Sequence, residues 1–222
     1  MKKTLLLIVA ALASVAVTQA DVITLVTTRV GTDTVNWTQL GPDNTTIPNP
    51  FAATSGGGIG IAGSFGGSGT GETSVEGSSW FGNFTIGDEL VWTNSPGQGP
   101  LTLGLSTGVN QIGAQIEADF FGAFTAQIAA YNGASLLGSF TEVGVATSLE
   151  DGSAIYLGVM DSTADINKIV FSLTSAAGDP ADFAINNLSI TPAASTPEPG
   201  TLMLLGGGLA LLGVARRRFR AR

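Results

Sequence analysis

Polar and apolar residues alternate most regularly between Asn110 and Tyr131. Ile112, Ala114, Ile116, Ala118 and Phe120 fall on one face of an extended chain, with Gln111, Gln115, Glu117 and Asp119 on the other. Beyond Gly122, the residues Phe124, Ala126, Ile128 and Ala130 resume the pattern. Successive side chains of a strand point to opposite sides, so this period of two predicts a strand pair with one buried face. Asn132-Gly133 comes next. That dipeptide suits the positive φ of a tight turn, so "SLLGSFTEV" should return antiparallel to the strand before it.

Shorter runs of the same character fill the rest of the chain. "DVITLVTTRV", "TVNWTQL", "GPLTLGLS", "SAIYLGVM" and "INKIVFSLTS" are rich in residues that suit a half-buried pleated surface. "WFGNFTIGDELVWT" adds another, turning at Gly87-Asp88. In "DFAINNLSI" the apolar positions are Phe183, Ile185, Leu188 and Ile190. The step from 185 to 188 changes face, which predicts a bulge or a strand buried on both sides. Ser55 to Gly77 is rich in Gly and Ser. It reads either as a flexible linker or, because "IGIAGSF" alternates, as a glycine-rich edge strand within a long loop. No long helical period occurs between Asp21 and Pro192. The prediction is an all-β domain over residues 21–192, with a jelly-roll β-sandwich preferred.

The two ends depart from this pattern. "MKKTLLLIVAALASVAVTQA" has two lysines, an apolar core and small residues at Thr18 and Ala20. It reads as a secretory signal peptide over residues 1–20, cleaved between Ala20 and Asp21; an uncleaved anchor is the alternative. At the other end Pro197, Glu198 and Pro199 precede fifteen uncharged residues, Thr201 to Ala215, and then Arg216, Arg217, Arg218, Arg220 and Arg222. A helix over 201–215 would reach about 22 Å at 1.5 Å per residue. That is short for a hydrocarbon core of about 30 Å. The arginines mark the cytoplasmic side and act as a stop-transfer signal.

Composition narrows the chemistry. The 222 residues include no cysteine and no histidine. Disulfides, thiol nucleophiles and histidine-based triads are therefore excluded, as are the usual zinc sites. The net charge of −8 hides an asymmetry. Between Asp21 and Ser195, two bases (Arg29 and Lys168) face sixteen acids, a net charge of −14. Such a body does not track a phosphate backbone, so nucleic acid is not an expected partner.

The Pro-Glu-Pro triplet, the short apolar helix and the terminal arginine cluster, in that order over residues 193–222, resemble the PEP-CTERM sorting signal of exported bacterial proteins. The resemblance implies a membrane-held precursor that an exosortase cuts near Pro197-Glu198-Pro199, discarding the helix. It also implies a cell-surface or matrix destination and an association with extracellular polysaccharide. "NWTQLGP", "GAQIEADFFGAFTAQIAAYNGASLLGSF" and "DFAINNLSI" are similar to the ectodomains common in that group. The last stretch also resembles the final strand of lectin-like and carbohydrate-binding-module jelly rolls. Those modules often carry Asp where this chain has Asn186.

Several residue groups are candidates for chemistry. Glu117 and Asp119 are the best-spaced carboxylates for glycoside hydrolysis, and equally a solvated strand face. The acidic loops Leu149–Ser153 and Gly178–Asp182 offer oxygens for a structural calcium ion, or shape turns. Trp37, Trp80 and Trp92 would either stack on a sugar or fill the core. The N-x-S/T sequences at Asn36, Asn44, Asn83 and Asn187 carry little weight in a bacterial chain. No catalytic residue, cofactor or metal site is expected. The alternatives are a lectin-like carbohydrate-binding module and a carboxylate-based glycosidase.

Overall fold

A computed structural model describes residues 22–193. The predicted signal peptide with its expected cleavage between Ala20 and Asp21, the triplet, the apolar run 201–215 and the arginines all lie outside the described residues. Among the described residues no helix is long and apolar enough to cross a membrane.

The described chain is all-β and antiparallel. Its strands are β1 (Ile23–Val26), β2 (Asp33–Val35), β3 (Thr46–Ile47), β4 (Phe51–Thr54), β5 (Gly60–Phe65), β6 (Gly71–Val75), β7 (Glu89–Trp92), β8 (Leu101–Ala118), β9 (Gly122–Asn132), β10 (Ser135–Ala146), β11 (Ile155–Asp161), β12 (Ile166–Ser175), β13 (Phe183–Ile185) and β14 (Leu188–Pro192). The 18-residue β8 organises them. Its first part, Leu101–Leu105, lies between β5 and β12, and β4, β9 and β10 extend that half outward. Its second part pairs with β11 on one side and with β14 and β13 on the other. From there β1 continues beyond β11, while on the other side β2 continues beyond β14, and β7, β6 and β3 beyond β13. One hydrophobic cluster draws on both halves, with Leu103, Ile128, Ile169 and Phe171 from one and Ile112, Ile116, Leu157 and Ile190 from the other.

The predicted inner face holds from Ile112 to Ala118, and Phe124, Ala126, Ile128 and Ala130 are buried in the same core. Three details differ. First, β8 and β9 are consecutive but do not pair; β9 joins β12 and β10 instead. The chain turns through Asp119–Phe121 into Gly122, whose φ of 131° is open to glycine and strained for other residues. That corner sends β9 to the other half. Second, Phe120 sits on this corner beyond the end of β8. It is 49 % exposed and covers Gly178 instead of entering the core. Third, the polar face of β8 is not solvated: Gln111 and Glu117 are both buried.

The glycine-rich segment is ordered strand, not linker. β5 is interior, held between β4 and β8, so the expected edge position is also corrected. Glycine is needed here for room. A Cβ on Gly63 would lie 2.1 Å from Cζ of Phe51, its cross-strand partner, and one on Gly71 would lie 2.2 Å from Cζ of Phe65. The aromatic rings lie over the glycines, and Phe51 and Phe65 then meet at 5.4 Å.

The hairpin after Asn132 forms, with Asn132 opposite Ser135 and Gly133 at φ 58°. "TVNWTQL" is strand only to Val35. Trp37–Leu40 is a 3-10 turn, capped by the Asn36 side chain, which accepts from the Thr38 N–H at 2.7 Å. Between Phe183 and Ile190 the chain breaks at Asn186-Asn187 into two strands. Phe183, Ala184 and Ile185 are all buried, so β13 is covered on both faces.

Candidate functional site

The second cover on β13 and β8 comes from the segment between β6 and β7. Leu90 of β7 and Ala184 of β13 point away from the main core, and Trp80, Phe84 and Ala154 close over them, with Trp92 packed alongside. Trp80 and Trp92 meet edge to face at 5.9 Å. This small core makes the outer face of the sheet a second buried layer. Glu117 faces it, since it sits directly opposite Ala184.

Two carboxyl groups pin the covering segment from beneath. Glu76 accepts from the Gly82 N–H at 2.7 Å, and Glu117 accepts from the Asn83 N–H at 2.7 Å and the Thr147 N–H at 3.3 Å. Burial raises both above the ordinary carboxyl range. For Glu117 it outweighs the two backbone donors, and with a small contribution from Glu76 the pKa is pushed up to about 7. The buried Trp80 indole N–H has no partner in regular hydrogen-bond geometry, although its dipole acts weakly on Glu117. Gly82 separates the two: a Cβ there would lie 2.3 Å from Oε2 of Glu117 and 2.4 Å from Nε1 of Trp80.

On the open side of this layer is a pocket of about 220 Å³, lined by Trp80, Phe81, Gly82, Trp92, Asp119 and Phe121, among others. Phe81 and Phe121 are more than half exposed at its mouth. Behind Trp92, Asp182 accepts the indole N–H at 2.6 Å. Burial pushes Asp182 up to about 6, against that hydrogen bond and with help from Asp119 and Asp179. Burial also raises Asp119.

The structure thus separates the sequence candidates. Trp37 is fully buried beside Phe51 in the main core, away from the other two tryptophans. Glu117 and Asp119 are not a solvated pair: Glu117 is locked under the covering segment, and Asp119 lines the pocket. The acidic loops use carboxylates to hold turns. Asp151 accepts from the Ser153 N–H at 3.0 Å, and Asp179 from the Ala181 N–H at 2.9 Å. Asn186 is fully engaged with Gln115 and Asp88, through bonds of 2.9, 2.7 and 3.1 Å. It is a structural tie between β13, β8 and the turn before β7. Phe81, Gly82 and Phe121 went unnoticed in the sequence, because nothing in an apolar or glycine residue marks it as exposed beside a pocket.

A family model for the PEP-CTERM protein-sorting motif matches residues 195–218. The chain ends in a PEP-CTERM sorting motif. The match takes in Pro197, Glu198, Pro199, Arg216, Arg217 and Arg218, and stops short of Arg220 and Arg222. The sorting motif implies an exported protein that is processed by an exosortase and sorted to the cell surface. No curated protein matches the chain.

Proposed function

We propose that the protein is a non-enzymatic component of a bacterial cell surface or extracellular matrix, associated with extracellular polysaccharide. Its precursor is exported by the N-terminal signal, held by the segment 201–215 and the arginines behind it, and released by exosortase cleavage near Pro197-Glu198-Pro199. The working domain is a jelly-roll β-sandwich over residues 21–192. The observation that carries this reading is the sorting motif at 195–218. Proline fixes φ and resists helix, so the triplet holds the chain extended beside the membrane, where a protease can bind it. Replacing Pro197, Glu198 and Pro199 with alanine should leave the precursor in the inner membrane with its C-terminus intact. Normal processing of that variant would overturn the reading.

The pocket favours a second reading, a carbohydrate-binding module. Two tryptophans, two exposed phenylalanines and a carboxylate gather at one opening. Sugar rings stack on aromatic faces through their C–H groups and donate hydroxyl hydrogens to carboxylates. Binding to a panel of glycans should weaken on Phe81→Ala and Phe121→Ala; undiminished binding would remove this reading.

A further inference from the structure

The geometry points to the pocket at Trp80, Trp92, Phe81 and Phe121 as a site for a positively charged amino sugar, a single hexosamine unit carrying a free ammonium group. This rests on the carbohydrate-binding reading above and narrows it.

Size sets the first limit. About 220 Å³ is below the roughly 300–1,000 Å³ typical of drug-sized ligands. The pocket holds one ring of an oligosaccharide, not several.

Charge narrows the choice further. Asp119 lines the opening, Asp182 lies behind Trp92, and Glu117 and Glu76 lie beneath Gly82. Asp179 acts on Asp182 and Glu150 on Glu76, so the charges that act on these four are other acids or one another. The described residues contain two bases, and both lie elsewhere. Arg29 lines a different cavity beside Tyr156, and Lys168 lies 4.2 Å above the ring of Tyr131. The raised proton affinity of Glu117 and Asp182 is the response of buried carboxyls that lack a counter-charge. An ammonium group in the pocket supplies it.

The walls favour the same ligand. Aromatic faces attract a cation through the ring quadrupole, and tryptophan does so best. A neutral sugar gains stacking and hydrogen bonds here, but neither this attraction nor that of the carboxyls. N-acetylation removes both and adds bulk.

The test measures binding of the mature protein to three hexamers, of glucosamine, of N-acetylglucosamine and of glucose (β-1,4), by calorimetry. Salt is held at about 150 mM, where exposed charges are screened beyond about 8 Å. The expected result is at least tenfold tighter binding of the glucosamine hexamer. Phe121→Ala and Asp119→Asn should each weaken it about fivefold or more; Phe121 is an exposed side chain that belongs to neither hydrophobic cluster. Equal binding of all three hexamers would overturn the ammonium assignment and leave the carbohydrate-binding reading standing. Binding of none would overturn the ammonium assignment, and the carbohydrate-binding reading would then stand or fall on the glycan panel. Tight glucosamine binding that survives the double variant Phe121→Ala/Asp119→Asn would show attraction of a polycation to the acidic surface as a whole, and would also overturn the assignment.

Discussion

Glu117 links the stability of the domain to pH. Its folded-state pKa, about 7, lies above the ordinary 4.5 because burial disfavours the charged form. The folded state therefore holds the proton more tightly than the unfolded state. The stability this contributes is fully present below about pH 4.5 and is lost as pH rises through 7. Asp182 acts in the same direction, but over a lower window that ends near its own value of about 6. Between about pH 6 and 7.5 Glu117 should dominate, since a tenfold difference in proton affinity between folded and unfolded states is worth about 1.4 kcal/mol. The thermal midpoint should fall over that interval, and Glu117→Gln should flatten the fall; equal slopes in the two proteins would contradict the linkage. Gln115, on the same strand, is tied down as well. Its side-chain amide donates to the Gly152 and Ala154 carbonyls at 2.9 and 2.8 Å. Gln115→Ala should cost about 1–3 kcal/mol in a denaturant titration, since it leaves those groups and the Asn186 amide short of partners. A change below ~0.5 kcal/mol would show that water replaces them. Both residues read as solvent-facing in the sequence. Alternation distinguishes the two faces of a strand, but it does not say how many of them are covered.

At the scale of elements, the same strand shows where pattern is legible. Ile112, Ala114, Ile116 and Ala118 alternate toward a core built from both halves of the sheet, and the residues alone identify them. Ile116→Ala should cost about 2–5 kcal/mol, as large-to-small changes at buried sites do; a near-neutral effect would mean this face is not packed. The outer cover was illegible, because it is made by a segment without regular structure, residues 76–88, held by backbone N–H groups on buried carboxylates. The glycine-rich stretch was half legible. "IGIAGSF" alternates as a strand should, but its interior position depends on Phe51 lying over Gly63, and a pairing between distant segments leaves no local trace. The pairing gives a prediction. Gly63→Ala should destabilise the domain while Phe51 is present, and much less in a Phe51→Ala background. The expected coupling is about 0.5–3 kcal/mol by a double-mutant cycle. Additive effects would show that the ring is not what excludes a side chain at 63.

For the molecule as a whole, charge and sorting point the same way. The body between Asp21 and Ser195 carries a net charge of −14, while the basic residues of the chain gather at its two ends. The sorting motif at 195–218 implies export and exosortase processing, so the protein at the cell surface should be an acidic domain. The C-terminal sorting motif was the most legible part of the sequence, because sorting depends on composition and order over a few tens of residues, not on contacts made at long range. What the acidic domain recognises was not legible, because its pocket is assembled from β7, the segment before it and the corner after β8. Use of the sorting motif is the central claim. Intact-mass measurement of the protein recovered from its native host tests that most directly. The expected mature chain begins at Asp21 and lacks the segment from the triplet's far side to Arg222, so its polypeptide mass accounts for neither end. A mature chain that still ends in Arg222 would contradict it.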